Sequence, residues 1–256
     1  MSRLPPAVAV PIIRVQVPRR LHIPELRSGL LNFDPAQSHH ARNVLRLAAG
    51  DEVEVFDDAG HVGAGIVEIG ADESFAVRVA AVQEPQQSRF AWSVAAAVPK
   101  GERADWLVEK LSELGCAAYI PLIAQRSVVQ PAGTAKRDRW IRLATESAKQ
   151  SRRRGVMQIA EPIKLDALLD SFVQAQSPQL GWFLDFGDTA IPIRQMLMTP
   201  PASPRLLMLV GPEGGWTPGE VDRLLGAHLT AVSLTRTVLR IETAAIAAAA
   251  CVATWG

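Results

Sequence analysis

Two periodicities divide the chain. Between about Arg20 and Val82, apolar and polar positions alternate in short runs broken by turn residues. Asp51–Asp57 (DEVEVFD) alternates; Gly60–Gly70 (GHVGAGIVEIG) and Ser74–Val82 (SFAVRVAAV) follow after Asp-Ala-Gly and Ala-Asp-Glu breaks. Alternation with a period of two predicts half-buried strands, and the Gly- and Asp-rich breaks predict turns between them. The expected unit is a small β-barrel-like domain. Val82–Phe90 (VQEPQQSRF) reads as a linker.

From Phe90 the period changes. Phe90–Val98 is a continuous apolar run, as a strand buried on both faces requires. Arg103–Gly115 places Trp106, Leu107, Leu111 and Leu114 at helical spacing and ends on Gly, which predicts a helix. Ala117–Ile123 is the next expected strand, followed by a basic helix over roughly Ala135–Gln150. Gly181–Phe186, Arg205–Val210 and Thr230–Leu234 are three further strands separated by helical stretches. Alternating strands and helices predict an α/β domain with a parallel sheet and helices on both faces.

Composition narrows this little. At 256 residues, 48% hydrophobic and 21% charged, the chain is long enough for one or two domains with real cores, and its formal net charge of +1 indicates no class of partner. Cys116 and Cys251 are the only cysteines and stand in apolar contexts, which predicts reduced, buried thiols in a cytoplasmic protein rather than a disulfide framework. Residues 1–17 read as a Pro-rich extension and a poor signal peptide. The Ala-rich stretch Ala244–Thr254 is about half the length of a membrane span, so no membrane partner is expected. The five histidines show no ligand spacing, so no metal site is expected. The absence of G-x-S-x-G argues against a nucleophile elbow.

Charge distribution says more than net charge. Lys136, Arg137, Arg139, Arg142, Lys149, Arg152, Arg153 and Arg154 put eight cations within nineteen residues. A solvated helix face is one explanation. The density, with three consecutive arginines at the end, favours a polyanion such as RNA. Arg19, Arg20, Arg42 and Arg46 add to it from the N-terminal part.

The candidate chemistry lies near the C-terminus. Leu209–Val221 (LVGPEGGWTPGEV) is a strand, a Gly-rich turn and a helix start; Thr217, Pro218 and Glu220 form the pattern of a capping box. Gly211, Gly214 and Gly215 let a ligand approach the backbone, although a tight, well-capped connection explains them equally. The spacing is neither G-x-G-x-x-G nor a Walker loop. In Leu234–Cys251 (LTRTVLRIETAAIAAAAC), Glu242 suits the first turn of a helix by its charge. Arg240, just ahead of that positive helix end, is better explained by an anionic ligand. The helix that follows is almost free of side-chain bulk, which permits close packing within the subunit or across a dimer.

These segments resemble the RsmE family of 16S ribosomal RNA uridine-N3 methyltransferases, in the SPOUT superfamily. The resemblance rests on GPEGG followed by VLRIETA, on His40–Gly60 (HARNVLRLAAGDEVEVFDDAG), on Pro99–Leu122 (PKGERADWLVEKLSELGCAAYIPL) and on Glu146–Arg153 (ESAKQSRR), in that family's order and covering roughly Pro18 to the end. It implies an N-terminal PUA-like RNA-binding β-barrel (18–85) and a C-terminal SPOUT α/β domain with a deep trefoil knot (86–256), a topology that general folding rules would exclude. It implies a homodimer that methylates uridine 1498 of 16S rRNA in the small ribosomal subunit, with S-adenosylmethionine as cofactor. Carried over by position, Leu184, Gly211, Pro212, Glu213, Gly214, Gly215, Leu234, Val238, Leu239 and Thr243 would hold the cofactor. Arg240 and Glu242 would be catalytic. Arg19, Arg20, Arg46, Lys100, Gln150, Arg152, Arg153 and Arg154 would face RNA. The chain departs from the family pattern at Thr235 and Thr237, where Gly and Arg are common, and at Met157, in place of Pro. The alternatives are a non-catalytic RNA-binding ribosome-assembly factor, which the two threonines would support, and the same chemistry on another RNA.

Overall fold

The computed structural model describes residues 18–71, 74–86, 90–129, 133–199 and 201–255. The expected Pro-rich extension (1–17) and part of the expected linker (87–89) lie outside the described residues.

The alternating segments form β1 (Arg19–His22), β2 (Gly29–Asn32), β3 (Glu52–Phe56), β4 (Val62–Ile69) and β5 (Phe75–Val79), in the order β1-β3-β4-β5-β2. β1 runs parallel to β3 and the other pairs are antiparallel. The inward positions Val53, Val55, Val67, Phe75, Val77 and Val79 pack with Leu21, Leu26 and Leu31, as the period of two requires. Between β2 and β3 lies an element the pattern did not announce. Helix α1 (Pro35–His39), capped by Asp34 accepting from Gln37 N, passes into a π-helical turn over His40–Val44. The only residue these two turns bury is Ala41, too little to leave an amphipathic stripe in the sequence.

The second sheet contains β6 (Ala91–Ala97), β7 (Ala118–Ile123), β8 (Gln158–Ile159), β9 (Ile163–Lys164), β10 (Leu180–Leu184), β11 (Ile191–Pro192), β12 (Arg205–Val210) and β13 (Thr230–Ser233). Its order is β11-β13-β10-β12-β6-β7-β8, with β9 also beside β7, and every pairing is parallel. Helices α2 (Arg103–Glu113), α3 (Thr134–Ser151) and α7 (Ile241–Ala253) pack on the face that presents Val94, Ala96, Met208 and Val210. Helices α4 (Leu165–Val173) and α6 (Pro218–Gly226) cover the alternate face, with Ala95, Leu207 and Leu209. A short α5 (Ile193–Met196) follows β11. Both faces are therefore buried, which is why β6 and β12 read as continuous apolar runs.

The two sheets meet at a small apolar cluster of Phe56, Val62 and Ala148, and Arg20 ties them together. Its guanidinium lies 4.0 Å from the Phe56 ring centre. Nε donates to Glu54 Oε1 at 2.6 Å, and Nη1 donates to Ala148 O at 2.9 Å and Arg153 O at 2.6 Å. Arg153 continues the tie, donating through Nη1 to Ser112 O at 3.0 Å and Cys116 O at 2.9 Å. Burial lowers the pKa of both guanidinium groups; Glu54 opposes that effect at Arg20. Two of the residues expected to face RNA are thus interior struts. A sequence cannot distinguish an arginine that reaches solvent from one that caps the carbonyls of a distant helix.

Cys116 is buried and burial pushes its thiol up to about 12, whereas Cys251 is only half-buried. In the native protein at pH 8, a thiol reagent should label Cys251 while Cys116 waits for unfolding; equal labelling rates by mass spectrometry would contradict this packing. Arg20→Ala should destabilise the protein by about 3 kcal/mol, because it removes the donor from the carbonyls of Ala148 and Arg153 and the packing on Phe56. The measurement is the urea midpoint at unchanged slope.

Candidate active site

Three chain segments converge at the carboxyl ends of β10, β12 and β13, the edge of a parallel sheet where ligands bind. They are Leu184–Phe186, Val210–Trp216 and Leu234–Ala244, and they enclose a cleft of about 650 Å³, counting the part open to solvent. Eight of the ten residues expected to hold the cofactor line it: Leu184, Gly211, Pro212, Glu213, Gly215, Leu234, Val238 and Leu239. Gly214 and Thr243 do not. Gly214 faces the Arg126 side chain on the outside of the loop, and Thr243 is exposed on α7.

The Gly-rich loop is a closed turn in which Gly215 N donates to Pro212 O at 2.8 Å, with Gly215 at φ +68°. A Cβ on Gly211 would stand 2.9 Å from the Trp216 ring, so a glycine there is a packing requirement. Trp216 in turn donates from Nε1 to Leu184 O at 3.0 Å and joins this loop to the end of β10. Arg126 braces the outer side, donating to Gly214 O at 2.7 Å and Trp216 O at 3.3 Å. The expected capping box is present on α6: Glu220 N donates to the Thr217 side chain and the Glu220 carboxylate accepts from Thr217 N. That carboxylate is buried and also accepts from Gln125 N at 2.7 Å, which pins the loop to the segment after β7.

The second loop carries the two threonines that depart from the family pattern. Thr235 Oγ1 donates to Thr237 O at 2.7 Å and accepts from Thr237 N at 3.3 Å, and both residues line the cleft. Their hydroxyls thus hold a local turn, the ordinary role of Thr in loops. Phe186 and Val238 lie at the cleft with 66% and 71% of their surface exposed, so apolar faces stand open at its edge.

Arg240 occupies the N-cap position of α7, its side chain exposed and without a hydrogen bond or ion pair among the described residues. Glu242, expected beside it at the reacting centre, is instead buried and lines no part of the cleft. Its Oε1 lies 3.4 Å from Arg103 Nη1, and its Oε2 has no hydrogen-bond partner among the described residues. The physical reason is helical geometry: the residue after Ile241 turns toward α2 rather than toward the loops. Arg103, Arg126 and Trp216 were not singled out in the sequence. The two arginines meet their partners across roughly ninety to one hundred and forty positions of chain, so no local pattern marks them.

Of the residues expected to face RNA, Arg19, Arg46, Lys100, Gln150, Arg152 and Arg154 are exposed. The α3 cation cluster is less available than its density suggests. Arg137 pairs with Glu161, Arg139 with Asp105 and Lys149 with Glu146, while Lys136 lies over the Trp140 ring. Arg152 leans toward Glu54 and Arg154 donates to Gln83 Oε1. Among the described residues no helix is long and apolar enough to cross a membrane.

Residues 86–253 match the model of an RNA methyltransferase domain, and residues 33–79 match that of an RNA methyltransferase PUA domain. The class is therefore a SPOUT-type RNA methyltransferase with a PUA-like domain. The ribosomal RNA small subunit methyltransferase E of Synechocystis is 30% identical over 231 residues, covering 86% of this chain and 71% of the relative. Its Bacillus subtilis counterpart is 30% identical over 218 residues, covering 80% and 82%. A Legionella pneumophila protein, solved as a methyltransferase with bound SAM, superposes with a TM-score of 0.77 at 28% identity over 91% of this chain and 95% of that one. A Neisseria gonorrhoeae structure at 24% identity and TM-score 0.80, covering 93% and 97%, shows the same fold. The chain belongs to the ribosomal RNA small subunit methyltransferase E family.

Gly211→Ala should displace the Trp216 ring and break its bond to Leu184 O, destabilising the protein by about 1–3 kcal/mol. Thermal unfolding followed by tryptophan fluorescence measures this; an unchanged midpoint and spectrum would show that the ring does not rest on Gly211.

Proposed function

We propose that the protein transfers the methyl group of S-adenosylmethionine to N3 of uridine 1498 in 16S rRNA of the small ribosomal subunit, acting as a cytoplasmic homodimer. The observation that carries this reading is the cleft between the Gly-rich loop and the VLRIET loop. Its residues fit the cofactor in kind. Backbone around Gly211–Gly215 offers polar groups at close range, and Leu184, Phe186, Leu234, Val238 and Leu239 offer apolar faces for a purine ring. When bound, S-adenosylmethionine supplies an electrophilic methyl group on a sulfonium.

The residues of the chain do the rest. Trp216, Glu220 and Arg126 hold the loop rigid, so the cofactor's binding energy is not lost in ordering it. Arg240, with its guanidinium unpaired at the N-cap of α7, stabilises negative charge that develops on the uracil oxygens as N3 loses its proton, or on a flanking phosphate. Arginine stays protonated at neutral pH and cannot be the base. N3 lies on the pairing edge, so the base is presented unpaired or flipped. The exposed Arg46, Lys100, Gln150, Arg152 and Arg154 are positioned to contact the RNA backbone. The 18–85 and 86–256 division into an RNA-binding unit and a catalytic unit belongs to the same reading. So does the deep knot.

The test is transfer of labelled methyl to small subunits from a strain lacking the gene, with the nucleoside identified by mass spectrometry. N3-methyluridine at position 1498 is the expected product. Cofactor binding without that product would indicate another RNA, and no cofactor binding would indicate an assembly factor. Arg240→Ala should lower the single-turnover rate by about a hundredfold with cofactor affinity within a few fold of normal. Near-normal turnover would remove Arg240 from the mechanism.

A further inference from the structure

The methyl-transfer reading leaves the fate of the N3 proton open, and the structure places one arrangement beside the cleft that answers it. Arg103, in the first turn of α2, sends its three donor edges to three places. Nε donates to Lys100 O at 3.3 Å, Nη1 meets Glu242 Oε1 at 3.4 Å, and Nη2 meets Glu213 Oε1 at 3.4 Å. The two carboxylates come from the two cleft loops. Glu242 is buried and reaches no solvent. The Glu213 side chain is 40% exposed and belongs to the wall of the cleft. On its other side Glu213 borders a shallow crevice with Lys100, Val128 and Val129.

We propose that the Glu213 carboxylate takes up the N3 proton of the target uridine and that Arg103, anchored by the buried Glu242, is the residue that positions it. The proposal rests on the methyl-transfer reading above. In the step, the N3–H bond breaks and its proton passes to a Glu213 oxygen. The N3 electron pair forms the bond to the methyl carbon, and the sulfur–methyl bond breaks with its electrons left on sulfur. The sulfonium charge and the carboxylate charge are cancelled together. Solvent then removes the proton from Glu213, which its exposure permits.

Geometry favours this arrangement. Arg103 meets only Oε1 of Glu213, which leaves the second carboxylate oxygen to face the substrate. The planar fork points its donors at the two carboxylates and the carbonyl in fixed directions, which the single nitrogen of a lysine does not. Glu242 is the anchor because it is buried, lines no part of the cleft and has Arg103 as its one ion-pair partner among the described residues. Glu242 is thus a positioning residue, as Arg103 is, and Glu213 is the catalytic one.

The test is a double-mutant cycle on the full-length protein, with single-turnover methyl transfer to unmodified small subunits and, separately, calorimetric affinity for S-adenosylmethionine. At saturating S-adenosylmethionine, R103M and E213Q should each slow transfer by about thirtyfold to a hundredfold, with the calorimetric affinity fixing the concentration that saturates each variant. The R103M/E213Q double variant should be no slower than E213Q alone within about threefold, because residues acting as one unit do not add. R103K, which keeps the charge and the fold should R103M not accumulate, should be slowed as well, and equally non-additively with E213Q. Multiplying losses, or normal rates in E213Q, would overturn the proposal. Failure of the unaltered protein to bind cofactor or to methylate would instead overturn the functional reading on which it stands.

Discussion

The buried carboxylate of Glu220 is the contact on which the rest of the cleft depends. A charge in the interior is tolerated only when donors surround it. Here Thr217 N and Oγ1 approach one oxygen and Gln125 N the other. The same side chain therefore starts α6, ends the Gly-rich loop and ties both to the segment after β7. Trp216, held one residue before the cap, is thereby set over Gly211 and against Leu184 O. Three strand ends that are far apart in sequence are fixed to one another by a capping box whose glutamate makes one additional bond.

The domain junction uses the same economy with the opposite charge. Arg20 and Arg153 satisfy carbonyls of α2, α3 and their flanking turns, and Phe56 supplies an aromatic face to the first of them. Interior arginines of this kind hold two units in one orientation because each donor has a fixed direction. The exposed cations Arg46, Lys100, Arg152 and Arg154 are then presented at set positions relative to the cleft. In the functional reading proposed here, that orientation lets an RNA engaged by the N-terminal unit deliver one base to the C-terminal unit.

The arrangement around Arg103 divides labour between burial and exposure. Glu242 is buried, Glu213 is part of the cleft wall, and Arg103 lies between them; in the proposed mechanism that cation couples the two. It also gives the small-residue helix α7 a reason for its close approach to α2: Ala245, Ala248 and Ala249 are fully packed, which brings the helix start, and Glu242 with it, to the Arg103 side chain.

Much of this was written locally. Alternation over Asp51–Asp57 and Ser74–Val82, continuous apolar runs at Phe90–Val98 and Arg205–Val210, and Thr217-Pro218-x-Glu220 each determine an element through neighbours a few residues away, and those elements formed. The Gly-rich loop and VLRIET loop were likewise legible, because the demand for small residues and a cap is local. What only the tertiary structure decided was which charged side chains face inward. Arg20, Arg153 and Glu242 read as surface or site residues, yet their partners lie between 34 and 139 positions away, and burial of a charge is set by those distant donors and acceptors. The same holds for Arg103, whose two carboxylates come together only when β12 and α7 are both in place.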